Sequence, residues 1–428
     1  MKKCIIIGGG LAGLSSAVYL ADSGFSVELI EASSKLGGRA YSFIDRETES
    51  CIDNGQHILM GCYKDTLSFF RLIGAEKNLF IQKKLEVNFL KPGFSVQKLK
   101  AFPFPYPFSL LFGLLNYKAL SLNERLRLLK FFFKLYFSFS KKLENLSVFD
   151  WLEIEGQTEN IQKAFWELLA VGALNTNIKK ASARTFSDIL KKIFFRGNKS
   201  AAIIIPGKGL SDVFCTDAEN FLNNHHGIIS LNEEAFEFIE GAEKITSIKT
   251  NKREIKDFDF LITAVPLYAL QRILPNYCFE GMNDFEYSTI VNIHIWLKEN
   301  RLPEKFYGLI DSPVQWIFNH GTHLTLVISD ANYLADTDKE KIFNIAGEEL
   351  YRFAGIEKKL ITAYKVIKEK RATFVPSAKI LNKRPAPRSN FNNLFFAGDW
   401  INTGLPSTIE SAVKSGRMAA GLIVKNFK

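Results

Sequence analysis

The 428-residue chain is poor in cysteine, and the cysteines it has form no reactive pattern. Cys4, Cys51, Cys62, Cys215 and Cys278 make an odd number, and no two stand as Cys-x-x-Cys. That spacing argues against a disulfide framework and against zinc, so no metal is expected. A membrane-spanning run is also wanting. The longest uncharged stretch, residues 101–117, contains Pro103, Pro105 and Pro107 and makes a poor spanning helix. Ile5, Ile6 and Ile7 follow Met-Lys-Lys like the start of a signal peptide, but Gly8 ends the run too soon. No nucleic-acid motif, internal repeat or low-complexity linker stands out. A cytoplasmic chain is expected.

Acidic residues are nearly missing from one window. Between Lys91 and Lys142 there are ten Lys/Arg and a single acid, Glu124, so this window carries +9 of the chain's +10. The same window is rich in Phe, of which the chain has 38. Basic and apolar together suit an anionic membrane surface, met from the cytoplasmic side as a peripheral contact. The alternative is a solvated charged face over an ordinary core.

What is present begins with Cys4 to Ile7, a short apolar run of the kind buried in a parallel sheet. Gly8, Gly10 and Gly13 follow as GxGxxG, then a helical stretch to Ser23 and a second apolar strand at 27–30. Gly8 allows the tight turn, Gly10 lets a pyrophosphate approach the backbone, and Gly13 lets helix and strand pack closely. Leu11 and Ala12 stand between the glycines, ahead of a helix read as Leu14 to Ser23, whose free N–H groups and partial positive charge face the phosphates. Glu31, followed by Ala32, stands eighteen residues past Gly13, placed to accept from an adenosine ribose. One such fingerprint is found, so no separate nicotinamide domain is expected.

Further on, the periodicity predicts one helical stretch over 110–140 and helices carrying Trp151 and Trp166 over 147–173. Strands are expected at 203–206, 235–248, 258–265, 290–297, 308–310, 314–318 and 324–329, and a helix at 338–354. An apolar strand at 394–397 delivers Gly398 and Asp399. A last helix over 406–425 starts through Pro406, Ser407, Thr408 and Ile409, and carries Glu410, for which a fixed contact within that helix is expected ahead of a catalytic role.

Leu36-Gly37-Gly38-Arg39, set so soon after the fingerprint, resembles the second glycine motif of the FAD-dependent amine oxidase and carotenoid desaturase superfamily. Gly398-Asp399 and the helix start after it resemble that superfamily's C-terminal FAD motif. The resemblance implies FAD, an α/β fold with a Rossmann-type domain of the amine oxidase/glutathione reductase kind, and an inserted α+β substrate domain. It places Asp399 at the ribityl chain, the last helix's N-terminus at the flavin, and Ala235, near the start of the strand after His226-Gly227, at the adenine. The expected division is 1–84, 201–278 and 390–428 for FAD against 85–200 and 279–389 for substrate. Asp53-Asn-Gly-Gln-His-Ile-Leu-Met-Gly-Cys-Tyr63, Ala173-Leu-Asn-Thr176, Ser312-Pro-Val-Gln-Trp316, Lys368-Glu-Lys-Arg-Ala-Thr373 and Gly398-Asp-Trp-Ile-Asn-Thr-Gly-Leu-Pro406 look more narrowly like hydroxysqualene dehydroxylases.

That narrower likeness implies reductive removal of a hydroxyl from a C30 polyprenyl alcohol, giving squalene for hopanoid synthesis. An external electron donor would reduce the FAD. His57, Gln56 and Asp53 are the candidates for orienting or protonating the hydroxyl. A phytoene-type desaturase, a flavin amine oxidase and a non-catalytic prenyl-lipid carrier are the rival readings.

Overall fold

The computed structural model describes residues 1–93 and 95–427. Position 94, within the basic window, and position 428 lie outside the described residues. Five short apolar segments form a wholly parallel sheet in the order Ile228–Ser230, Ser26–Ile30, Lys3–Ile7, Phe260–Thr263, Leu394–Phe396. Such runs are mostly apolar because both sheet faces are covered, and the buried charged exception, Glu28, is paired with Lys3 and Arg253. Cys4 and Ile6 pack with Leu14, Val18, Val413 and Ala420 of the helices Leu11–Asp22 and Ile409–Phe427. Ile5 and Ile7 point the other way, onto Phe238 and Ile248 of the antiparallel trio Ala235–Glu240, Ile245–Thr250 and Glu254–Ile255.

The two helices on the first face touch through glycine. A Cβ on Gly416 would lie 2.3 Å from the Ala12 carbonyl oxygen, and one on Gly13 would lie 1.9 Å from that of Gly8. Ser15 and Ser16 donate to the carbonyls of Val413 and Gly416 at 2.8 and 3.3 Å. The first and last helices are thereby locked backbone to backbone.

A second sheet of seven strands runs Ile361–Phe374, Tyr287–Leu297, Leu324–Ile328, Trp316–Asn319, Phe306–Leu309, Glu86–Lys91, Ser95–Lys100. The fold is thus α/β with an inserted α+β unit. We propose the discontinuous division expected above as its domain structure, because each large sheet takes its strands from one set of segments. A helical block between residues 108 and 194 packs a core containing Phe131, Phe132, Trp151, Trp166 and Phe186.

Two expectations need correction. Residues 110–140 are not one helix but two, Phe108–Leu115 and Leu122–Phe137. The break is made by Ser121, whose side chain and Glu124 close a capping box. The basic window is likewise not one face. Lys91, Lys98 and Lys100 lie on the seven-stranded sheet, and the last two pair with Glu304 and Glu86. The strand Ile361–Phe374 was not expected at all. Its Lys-Val-Ile-Lys-Glu-Lys-Arg stretch is half exposed and so carries no apolar run.

Candidate active site

The helix Leu11–Asp22 starts at Gly10 with no side-chain cap, so its first N–H groups lack the usual oxygen partner. A Cβ on Gly10 would meet nothing nearer than the Gly38 Cα at 3.8 Å. The second glycine motif lies directly against the first, with the Gly37 N–H donating to the Gly9 carbonyl at 2.9 Å. An uncapped helix start facing two side-chain-free residues fits a diphosphate.

Glu31 follows the strand Ser26–Ile30 and accepts from the Gly9 N–H at 2.6 Å and the Ser33 N–H at 2.8 Å. One carboxylate therefore fixes the fingerprint loop to the segment holding Ala32. The Glu31 carbonyl also accepts from the Glu233 N–H, which draws the Ser230 to Ala235 segment alongside. Ala235 is buried and opens the second strand after His226-Gly227, because the short strand Ile228–Ser230 intervenes.

Arg39 and Asp399 bring the two ends of the sequence together. Arg39 donates through Nη2 to Asp399 Oδ1 at 2.6 Å and through Nη1 to the Ala372 carbonyl at 2.8 Å. Ser407 donates to the other Asp399 oxygen. Burial pushes the Asp399 carboxyl up, but the Arg39 charge and the two hydrogen bonds outweigh it and hold the group below its ordinary value. Gly398 has φ +145°, where glycine is favoured, and a Cβ there would meet the Trp400 ring at 2.6 Å. The final helix begins at Ile409, after Pro406, Ser407 and Thr408, and Thr408 Oγ1 accepts from the Ser411 N–H. Glu410 points away from this site. It accepts from the Asp65 N–H and from the Thr66 N–H and hydroxyl at 2.7 to 3.0 Å, holding the start of the helix Lys64–Ile73.

Sequence reasoning missed Arg384, which organises the C-terminal motif. Its buried guanidinium donates to the carbonyls of Asp399, Trp400, Ile401 and Leu405. Burial lowers its pKa to about 10, still charged at neutral pH. It stands alone between Lys383 and Pro385, without a motif that could have flagged it. Asn54 was missed too. It accepts from the Tyr41 N–H and donates to the Arg39 carbonyl at 3.0 Å each, fixing the turn that presents Arg39.

A small cavity opens beside the Arg39–Asp399 pair, lined also by Tyr268, Tyr287, Arg371, Phe374 and Trp400. Arg371 stacks on Tyr268 at 4.4 Å, and Tyr268 meets Tyr287 edge-on at 6.1 Å. Burial, with Asp399 nearby, pushes the Tyr287 phenol up to about 12, so it stays an O–H donor. Gln56, His57 and Asp53 do not line this cavity. Asp53 accepts from Ser42 Oγ and the Leu210 N–H at 2.7 and 2.9 Å and braces those segments. The Gln56 N–H donates to Asn292 Oδ1 at 3.3 Å. His57 Nδ1 lies 3.0 Å from the Gly55 carbonyl and must carry the proton there, while burial lowers its pKa. Its Nε2 is consequently an acceptor in this arrangement.

A family model described as flavin containing amine oxidoreductase matches residues 11–424. Hydroxysqualene dehydroxylase of Zymomonas mobilis subsp. mobilis is 27% identical, with 100% of both chains covered. Zeta-carotene desaturase of Arabidopsis thaliana is 24% identical over 98% of this chain and 85% of its own. Among solved structures, cyclohexylamine oxidase from Brevibacterium oxydans superposes with TM-score 0.71 at 13% identity, covering 100% of this chain and 99% of its own.

Proposed function

We propose that this chain, which belongs to the flavin containing amine oxidoreductase family and is an FAD-dependent oxidoreductase, removes the hydroxyl of hydroxysqualene reductively to give squalene. The cofactor would be held by Gly8, Gly10, Leu11, Ala12, Gly13, Glu31, Ala32, Gly37, Gly38 and Arg39 at one end. Ala235, Gly398, Asp399, Pro406, Ser407, Thr408 and Ile409 would complete the site. When bound and reduced, FAD supplies a hydride equivalent; an external donor restores it.

The observation that carries the reading, beside the full-length likeness, is the charge of the cavity. Arg39 and Arg371 line it, and Asp399 is already paired. With Arg39 neutralised by Asp399, the charge left over is Arg371, which a protonated amine would meet and a neutral alcohol would not. Tyr268, Tyr287, Phe374 and Trp400 give the cavity an aromatic wall. Tyr287, a cavity-lining phenol that keeps its proton, would give it to the leaving oxygen as the C–O bond breaks, so that oxygen departs as water. Gln56, His57 and Asp53 lie outside this cavity and would brace the segments behind it.

The test is product analysis with hydroxysqualene and chemically reduced enzyme. Squalene is expected. New double bonds would make the chain a desaturase, peroxide with an aldehyde an amine oxidase, and absence of turnover a carrier.

A further inference from the structure

The helix Leu122–Phe137 has two apolar stripes where its packing uses one. At about 100° per residue, Leu128, Phe131, Phe132 and Leu135 share a face. That face enters the helical core, where Phe131 lies 4.8 Å from Trp151 and 4.6 Å from Trp166. Leu122, Leu126, Leu129, Phe133 and Phe137 recur at three- and four-residue steps on a different face. Phe133 and Phe137 are 68% and 65% exposed, and Phe139 just beyond is 76% exposed. The neighbouring helix Phe108–Leu115 exposes Phe108 and Phe112, and between the two helices runs an apolar groove of about 440 Å³ with Lys130 at its edge.

The charges are ordered around this stripe. Arg127, Lys130 and Lys134 share one flank of the helix by the same 100° geometry, roughly a quarter-turn from the exposed apolar stripe. Among the described residues, Lys118, Lys130, Lys141 and Lys142 have no acidic partner within ion-pair distance. The one acid of the helix, Glu124, is engaged by Ser121, Thr158 and Asn160. No helix among the described residues is long and apolar enough to cross a membrane. An apolar stripe with a cationic flank is the pattern of a helix lying in the plane of a lipid interface. A second copy of this chain fits less well, because a twofold contact would set the unpaired lysines against each other.

We propose that the hairpin over residues 104–139 docks on an anionic bilayer. Phe112, Phe133 and Phe137 enter the acyl boundary, and Lys118, Lys130, Lys141 and Lys142 meet the headgroups. The docking does not depend on which reaction the cavity performs.

The test uses the FAD-loaded protein and phosphatidylcholine vesicles with and without phosphatidylglycerol, at low and high salt. Co-sedimentation with the phosphatidylglycerol vesicles at low salt is expected, weakening as salt screens the lysines. Phe133→Ser with Phe137→Ser, and separately Lys130→Glu with Lys141→Glu and Lys142→Glu, should each lower partitioning about tenfold or more. Unchanged flavin absorbance would show both variants intact. Phe133→Trp should add fluorescence that brominated lipid quenches. The proposal is overturned if the wild type ignores anionic vesicles, or if it binds while Trp at 133 stays unquenched. It is equally overturned if light scattering finds a dimer that Phe133→Ser with Phe137→Ser splits, which would assign the face to a second copy.

Discussion

Arg39 and Asp399 are 360 residues apart in sequence, and their side chains meet at 2.6 Å. The Asp399 carboxyl is held below its ordinary value, so its contribution is complete above the unfolded carboxylate value of ~3.9 and is lost as pH falls through the lower folded value. FAD retention should therefore hold down to about pH 4 and fail below it. Asp399→Asn should bind FAD about tenfold or more weakly, since a charge-assisted bond is lost, and should lack this acid step. Flavin fluorescence followed through an acid titration checks both. An identical acid transition in Asp399→Asn would move the assignment to another carboxylate.

Glu31→Ala should loosen FAD by about tenfold to a hundredfold, from the loss of two charge-assisted hydrogen bonds to Gly9 and Ser33. The thermal midpoint of the FAD-free protein should move little. A large fall in that midpoint would make Glu31 a folding residue first.

These two residues belong to the part of the site that was legible in the sequence. The glycine turns, Glu31 and Asp399 are read from local pattern, because a backbone turn or strand end needs particular residue types at fixed spacing. Arg384 and Tyr287 could not be read that way. Arg384 matters because four carbonyls from residues 399–405 converge on it, and Tyr287 because its strand pairs with Ile361–Phe374. Both facts belong to tertiary packing. Ser121 is a different case, since its Ser-Leu-Asn-Glu capping pattern is local and legible, between two apolar helical runs that share one period.

Arg384→Met should destabilise the protein by roughly 3–5 kcal/mol, because several buried carbonyls lose their donor at once and each orphaned group costs on the order of 1–3 kcal/mol. Denaturant unfolding measures it. Arg384→Lys should recover only part, as one ammonium cannot span the fork. A loss under ~1 kcal/mol in Arg384→Met would mean that water replaces the guanidinium.

Gly416→Ala should cost roughly 1–3 kcal/mol by overpacking, with the added methyl driven against the Ala12 carbonyl. Gly421→Ala on the same helix is the control, since a Cβ there meets nothing within 4 Å. Equal thermal midpoints for the two variants would refute the close approach.

Tyr287→Phe keeps the ring and removes the proton. Turnover of hydroxysqualene should fall about a hundredfold or more, the usual reach of a general acid, with FAD content unchanged. Single-turnover decay of reduced flavin absorbance separates this from slow product release. A wild-type rate in the variant would leave the proton to come from elsewhere.

The locked first and last helices also set when this enzyme can be loaded. Lys3–Ile7 is made first, yet its sheet is complete only when Leu394–Phe396 pairs beside Phe260–Thr263. At ordinary synthesis rates, roughly 20–80 s separate the first strand from the last. Through that interval the diphosphate loop exists without Asp399, Arg384's loop or the helix bearing Gly416. Cofactor capture therefore waits until the segment bearing Asp399 and Gly416 has been made, and until then the growing chain carries apolar strands whose partners have not been translated. Flavin supply and chaperone occupancy, rather than the intrinsic stability of the finished fold, should govern how much active protein a cell obtains.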